Sequence, residues 1–93
     1  MANYKFSSQA SMDLDSIYEY SVLNFGHTQA QDYLLKLHEC CHNIAKYPNI
    51  GRDATYLGLE IRSYPCLSHI IFYLPMQQEL LIVRVLHENM DAS

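Results

Sequence analysis

Residues 69–87 read HIIFYLPMQQELLIVRVLH, and the fold follows from how this stretch is divided. His69 to Leu74 and Leu80 to Leu86 are both rich in β-branched and aromatic residues, the composition of strands. Between them Pro75-Met-Gln-Gln-Glu79 is a hairpin-sized link, so the two strands are expected to be antiparallel neighbours. Just upstream, Leu59, Ile61 and Ser63 alternate with Glu60, Arg62 and Tyr64, which reads as a further strand, with Pro65 separating it from the next. Leu80-Leu81-Ile82-Val83 is apolar on both sides of its strand, more than a solvated sheet face requires. Either the polar tail over residues 87–93 folds back on that face or another chain covers it.

Before Gly51 the period is helical. Ala10, Leu14, Ile17, Ser21 and Phe25 form one apolar stripe, with Asp13, Asp15 and Glu19 off it. Ser7 or Ser8 offers an N-cap hydroxyl, Asp13 and Asp15 favour the start of the helix, and Gly26 is placed to end it in the left-handed conformation. Thr28 is expected to cap a second helix, whose stripe is Ala30, Tyr33, Leu34, Leu37, Cys41, Ile44 and Ala45. Pro48 stops that helix near Tyr47, and Asn49-Ile50-Gly51 forms a turn. Tyr4-Lys5-Phe6-Ser7 reads as a short first strand. Two helices joined by almost nothing pack as an antiparallel hairpin. The expected class is therefore α+β, in the order β-αα-βββ, with the hairpin laid on one face of a small, mostly antiparallel sheet.

The 93 residues are read as a single domain, 1–93, with one modest core. With 49% apolar and 17% charged residues the chain is not a disordered one. The longest apolar run, Ile70 to Met76, is too short to span a membrane, and no signal-peptide pattern opens the sequence. A cytoplasmic location is the expectation. Six Lys+Arg against ten Asp+Glu give a net charge of −4, and no basic cluster occurs in either half. A protein that grips nucleic-acid backbone needs a basic stripe, so neither non-specific nor direct sequence-specific nucleic-acid binding is expected. The three cysteines, Cys40, Cys41 and Cys66, make no complete disulfide framework, and their odd number fits a reducing compartment.

Chemistry-bearing residues are sparse. His38, Cys41 and His42 share one helical surface at metal-ligand spacing, but Cys41 lies on the apolar stripe and no C-x-x-C or H-E-x-x-H is present, so no metal is expected. Cys66 and His69 resemble a nucleophile pair, with no orienting third group. The glycines are isolated, so no phosphate loop or dinucleotide cofactor is indicated, and no cofactor of any kind is expected. Arg52 follows a turn, while Arg62, Arg84 and His87 lie in strands. With His69, Tyr64 and Tyr73 they can form a polar surface suited to phosphate and base contacts, although the positive charge is thin. Eight tyrosines, several at helix margins, and the apolar strand over 80–83 point instead to a protein partner.

Six segments in order carry a resemblance. They are Ala10-x-x-Asp13-Leu14-x-x-Ile17; Phe25-Gly26-x-x-x-Ala30-x-x-Tyr33; Tyr47-Pro48-Asn49-Ile50-Gly51-Arg52; Arg62-Ser63-Tyr64; His69-Ile70-Ile71-Phe72-Tyr73; and Ile82-Val83-Arg84-Val85-Leu86-His87-x-x-Met90-Asp91. Through them the chain resembles the ParE/RelE superfamily of bacterial toxins, on its ParE-like branch. The resemblance implies a toxin of a type II toxin–antitoxin pair, held in a hetero-oligomeric complex by an antitoxin whose C-terminal segment wraps its helices and sheet. It implies DNA gyrase as the target and inhibition without catalysis. RelE-like relatives instead cut messenger RNA on the ribosome, and a degenerate, non-toxic homologue that still binds an antitoxin is the other alternative. On the RelE alternative Arg62, Arg84 and His87 match the functional pattern, with Tyr64 and Glu60 as further members, whereas Lys36 and Lys46 do not supply the RelE group's helix lysines. For partner binding the expected residues are Arg52, Arg62, Tyr64, Tyr73, Leu81, Val83, Arg84 and His87.

Overall fold

A computed structural model describes residues 3–89. The elements are β1 (Tyr4–Phe6), α1 (Ser8–Phe25), α2 (His27–Lys46), β2 (Arg52–Asp53), β3 (Arg62–Cys66), β4 (His69–Pro75) and β5 (Leu80–His87). The five strands form one sheet in the order β1-β5-β4-β3-β2. β1 runs parallel to β5, and every other pairing is antiparallel. The class is α+β, with the helical hairpin on one sheet face.

Ser7 starts α1, its side chain accepting a hydrogen bond from the Ala10 N–H at 3.0 Å and donating one to the Val83 carbonyl at 2.8 Å. One hydroxyl thereby caps the helix and ties it to β5. Gly26 serves both helices: its N–H donates to Val22, and its carbonyl accepts from Ala30. Its φ of +88° and ψ of 167° lie in a region open essentially to glycine alone, not in the left-handed helical well expected for it. The expected Thr28 cap is likewise corrected, because α2 begins at His27 without any side-chain cap. The reversal is so tight that glycine leaves no separate capping position.

The main core lies between the hairpin and the sheet. Ala10 and Ile17 from α1 and Leu37, Cys41 and Ile44 from α2 meet Ile71 and Tyr73 from β4 and Leu80, Ile82 and Val85 from β5. Complete burial of a side chain such as Leu37 or Ile44 contributes about 1.5–3 kcal/mol. The opposite sheet face carries a second, smaller cluster: Phe72 with Ala54 and Ile61, flanked by Ile70, Leu74, Val83 and Leu86. The β2–β3 connection thus covers part of the face that the sequence left for the tail or another chain. The tail beyond Asn89 lies outside the described residues.

Two strand expectations change, and the last ladder carries a bulge. The strand read from Leu59 begins at Arg62; residues 54–61 are a compact loop, with Leu59 86% exposed and Glu60 at φ +67°. Pro65 lies within β3 rather than between strands. β2 pairs only with Arg62 and Ser63, so past them β3 is an edge strand, where proline is tolerated. The β4–β5 ladder shifts register, Phe72 pairing with Arg84 but Tyr73 with Ile82, which leaves Val83 as the extra residue of a bulge.

Candidate functional site

Arg62 and Arg84 are each held by their own partners in the fold. Arg84 forms a bidentate pair with Asp13 of α1, Nε to Oδ2 at 2.8 Å and Nη2 to Oδ1 at 3.0 Å. The same Oδ2 accepts the Val85 N–H at 3.0 Å. β1 ends at Phe6, opposite Ile82, so beyond that point the Asp13 carboxylate takes the position of a missing strand partner. Its hydrogen bond, with its charge, raises the Arg84 guanidinium above its ordinary pKa. Arg62 instead donates from Nη2 to the carbonyls of Asn49, at 3.2 Å, and Gly51, at 3.0 Å.

Tyr73 belongs to the same corner as Arg62 and is completely buried. Its hydroxyl donates to the Pro48 carbonyl at 2.7 Å and accepts the Gly51 N–H at 2.9 Å. A Cβ on Gly51 would collide with that hydroxyl and lie 2.8 Å from the Ser63 carbonyl, which is why glycine stands there. Tyr73, expected among the partner-binding residues, is in the structure completely buried and anchors the loop after α2. Tyr64 is half-buried and packs on the main core, and Leu81 and Val83 are half-buried. Arg52 and Glu60 are exposed, Arg52 on the short β2 and Glu60 in the loop before β3.

His87 is exposed at the end of β5 and pairs with His69 across the ladder, their rings edge to face at 5.3 Å between centroids. The Tyr33 hydroxyl shares a hydrogen bond of 2.6 Å with His69 Nδ1 and accepts the Ser68 N–H. Nδ1 of His87 accepts the Asn89 N–H. Burial, followed by the neighbouring His87, lowers the His69 pKa, against the opposing pull of Glu88 and Asp13. His69 and His87 thus meet at one end of β4, while Arg62 stands opposite Tyr73, four residues along it. At the rise of a strand this is about 13 Å. Arg62 therefore stands apart from His87, whereas the Asp13–Arg84 pair lies near the histidines, close enough for Asp13 to act on His69.

The remaining sequence candidates resolve simply. Cys66 is buried and disulfide-bonded to Cys40, which corrects the reading of Cys66 as an exposed turn thiol and leaves Cys41 as the free cysteine. Burial pushes the Cys41 thiol up to about 12, the behaviour of a core residue rather than a ligand. His38 lies against the rings of Tyr4 and Phe6, and its Nδ1 is hydrogen-bonded to the Tyr4 hydroxyl. Among the described residues no three His, Cys, Asp or Glu side chains are placed to hold a metal. No helix among them is long and apolar enough to cross a membrane.

A concave surface also marks the helical hairpin. It runs between α1 and α2, has a volume of about 690 Å³, and is lined chiefly by Leu14, Tyr18, Val22, Leu23 and Leu34, with Asp15 and Glu19 also on its wall. Leu23 is 79% exposed there. Sequence reading missed this groove because Val22 and Leu23 lie off the buried stripe. It also missed Asp13 and Tyr33 as anchors. Asp13 reads in the sequence as favouring the helix start, whereas α1 begins at Ser8 and has no acidic residue in its first turn, and Tyr33 reads as one member of an apolar stripe.

The comparisons agree over nearly the whole length. The family described as "ParE toxin of type II toxin-antitoxin system, parDE" matches residues 4–92. "Toxin ParE1" of Caulobacter vibrioides is 36% identical over 92 residues, covering 99% of this chain and 95% of that one. "Toxin ParE" of Escherichia coli is 32% identical over 92 residues, with 98% and 89% covered. "Toxin ParE1" of Mycobacterium tuberculosis is 31% identical over 93 residues, with 99% and 95% covered. Among solved structures, the "Chromosomal ParDE TA system from P. aeruginosa" superposes with a TM-score of 0.79 over 94% of this chain and 96% of that one, at 20% identity, a likeness of fold.

Proposed function

The chain belongs to the ParE toxin family of type II toxin–antitoxin systems, and from that premise we propose that it inhibits DNA gyrase by binding, without catalysis, and is neutralised by a cognate antitoxin. The observation that carries the non-catalytic reading is the separate engagement of the arginines. Arg84 is spent on Asp13, and Arg62, about 13 Å along the sheet from the histidine pair, on two loop carbonyls. A ribonuclease of the RelE kind needs cationic groups and a proton-transfer pair around one scissile phosphate. Here each of the two arginines is already engaged by the fold, Arg62 through Nη2 with its buried Nε left without a partner among the described residues.

The antitoxin's seat in this reading is the groove between α1 and α2. Its apolar floor suits an amphipathic segment whose burial excludes water from Leu14, Val22 and Leu23. A lasting complex of this kind buries well over ~1,000 Å² in total. Complementary charge is local, because the toxin as a whole is acidic.

Expression of the chain with and without its antitoxin tests the proposal, with growth and gyrase-linked DNA breaks read together. Toxicity accompanied by breaks, both relieved by the antitoxin, is the expected result. Toxicity with intact DNA and cleaved ribosome-bound messenger RNA would replace it with the nuclease reading.

A further inference from the structure

The loop between β2 and β3 is a hydrogen-bonded apolar tip. Ala54, completely buried, and Ile61, 7% exposed, fasten its two ends to Phe72 on the sheet face away from the helices. Four backbone hydrogen bonds close it: Ala54 N–H to Ile61, Leu57 N–H to Ala54, Gly58 N–H to Thr55 and Ile61 N–H to Gly58, all between 2.9 and 3.1 Å. Glu60 is held at φ +67°, a backbone state costly for a residue with a side chain and kept here by the bonds on either side of it. On this closed frame Tyr56, Leu57 and Leu59 point outward, with Leu59 86% and Tyr56 63% exposed. Folding gains nothing from leaving these side chains in water.

We infer that the Tyr56–Leu57–Leu59 tip is the part of the toxin that inserts into its target, and that its occupant is an apolar pocket on a protein. This inference rests on the reading of the chain as an inhibitor acting by protein binding. Three observations select that class of partner. The tip itself is aliphatic and aromatic and carries no cation, its flanks are charge-balanced (Arg52 and Arg62 against Asp53 and Glu60), and the chain's net charge is −4, which disfavours both nucleic acid and an anionic membrane surface. Its backbone is already ordered, so insertion costs little further conformational entropy. It lies on the opposite side of the sheet from the α1–α2 groove, so target and antitoxin engage different surfaces.

The test is Leu59→Asp, with Met76→Asp as a control for adding one negative charge at another exposed apolar position. Each variant is expressed in the full chain, growth inhibition is titrated against expression level, and antitoxin co-purification and binding to purified DNA gyrase are measured in parallel. The expected result is a loss of toxicity of about 10-fold or more for Leu59→Asp, with antitoxin binding retained and Met76→Asp still toxic. Toxicity equal to the wild type in Leu59→Asp would overturn the inference, as would its losing the antitoxin together with toxicity. If the wild type is toxic and Leu59→Asp is not, yet neither binds gyrase, the gyrase reading falls and the tip stands. If both bind gyrase equally and both are toxic, the tip falls and the gyrase reading stands. A wild type without toxicity would overturn both.

Discussion

Asp13 and Arg84, 71 residues apart, close the open side of β5. The carboxylate grips the guanidinium through two hydrogen bonds of 2.8 and 3.0 Å while accepting the Val85 N–H. An arginine that looks poised for phosphate is thereby committed to joining the first helix to the last strand. The Asp13 side chain is 14% exposed and that of Arg84 36%, so the pair is only partly shielded from water.

Asp13→Ala should cost about 2 kcal/mol of stability, because it strands both a charged group and a strand N–H. Urea unfolding checks this. Asp13→Asn should recover part of the loss by still accepting the Val85 N–H. A loss below about 0.5 kcal/mol for the alanine variant would class the pair with ordinary surface ion pairs.

The Tyr73 hydroxyl should matter more than its single oxygen suggests. Tyr73→Phe keeps the ring but leaves the Gly51 N–H and the Pro48 carbonyl without their buried partner. The expected cost is about 2–3 kcal/mol, measurable by thermal or urea unfolding. Gly51→Ala should be at least as damaging, since its methyl occupies the place of that hydroxyl.

Acid should weaken the fold through His69. Its pKa lies below the ordinary 6.5, first through burial and then through His87, so the unfolded chain takes up the proton before the folded one. Its contribution is complete above about 6.5 and is lost as pH falls through the lowered folded value. The facing groups are Tyr33 from α2, Asp13 from α1, and His87 and Glu88 at the end of β5. Stability measured from pH 7.5 down to 5 should decline less steeply in His69→Asn than in the wild type, at about the pH range where free histidine titrates. Parallel slopes would show that the ring does not gain a proton on unfolding.

The cysteines should separate by reactivity. Under native, non-reducing conditions Cys41 should resist alkylation, since its thiol is buried and pushed up from 9.0 to about 12. Denaturation should expose one thiol and reduction three. The Cys40–Cys66 bond closes a loop spanning 26 positions, which in the chain-entropy picture corresponds to about 3–4 kcal/mol of stabilisation lost on reduction. Mass spectrometry after alkylation and unfolding with and without reductant check both statements.

Legibility of this fold followed the range of each interaction. The helices and the two long strands show in the sequence because their periods repeat over many residues, and the β4–β5 hairpin because Pro75 and a short polar link mark it. β2 has two residues and no period to detect. Alternation along β4 separates two faces without saying which meets the helices, so Ile71 and Tyr73, rather than Ile70 and Phe72, had to be found in space. The pairing of Cys40 with Cys66 and of Asp13 with Arg84 leaves no local mark. Arginine in a strand looks alike whether it faces a ligand or an internal acceptor, so the engagement of Arg62 by loop carbonyls and of Arg84 by Asp13 could not be read from the sequence.

The most direct measurement of the central proposal is a titration of purified DNA gyrase with the toxin, with and without saturating antitoxin. Supercoiling and ribosome-dependent messenger RNA cleavage are followed in the same preparations. The expected result is saturable gyrase binding with loss of supercoiling, both abolished by the antitoxin and both kept in His87→Gln within about threefold, because rim contacts contribute little to binding. An unaffected gyrase, together with messenger RNA cuts that fall about 10²–10⁴-fold in His87→Gln as expected on losing a general acid, would contradict it.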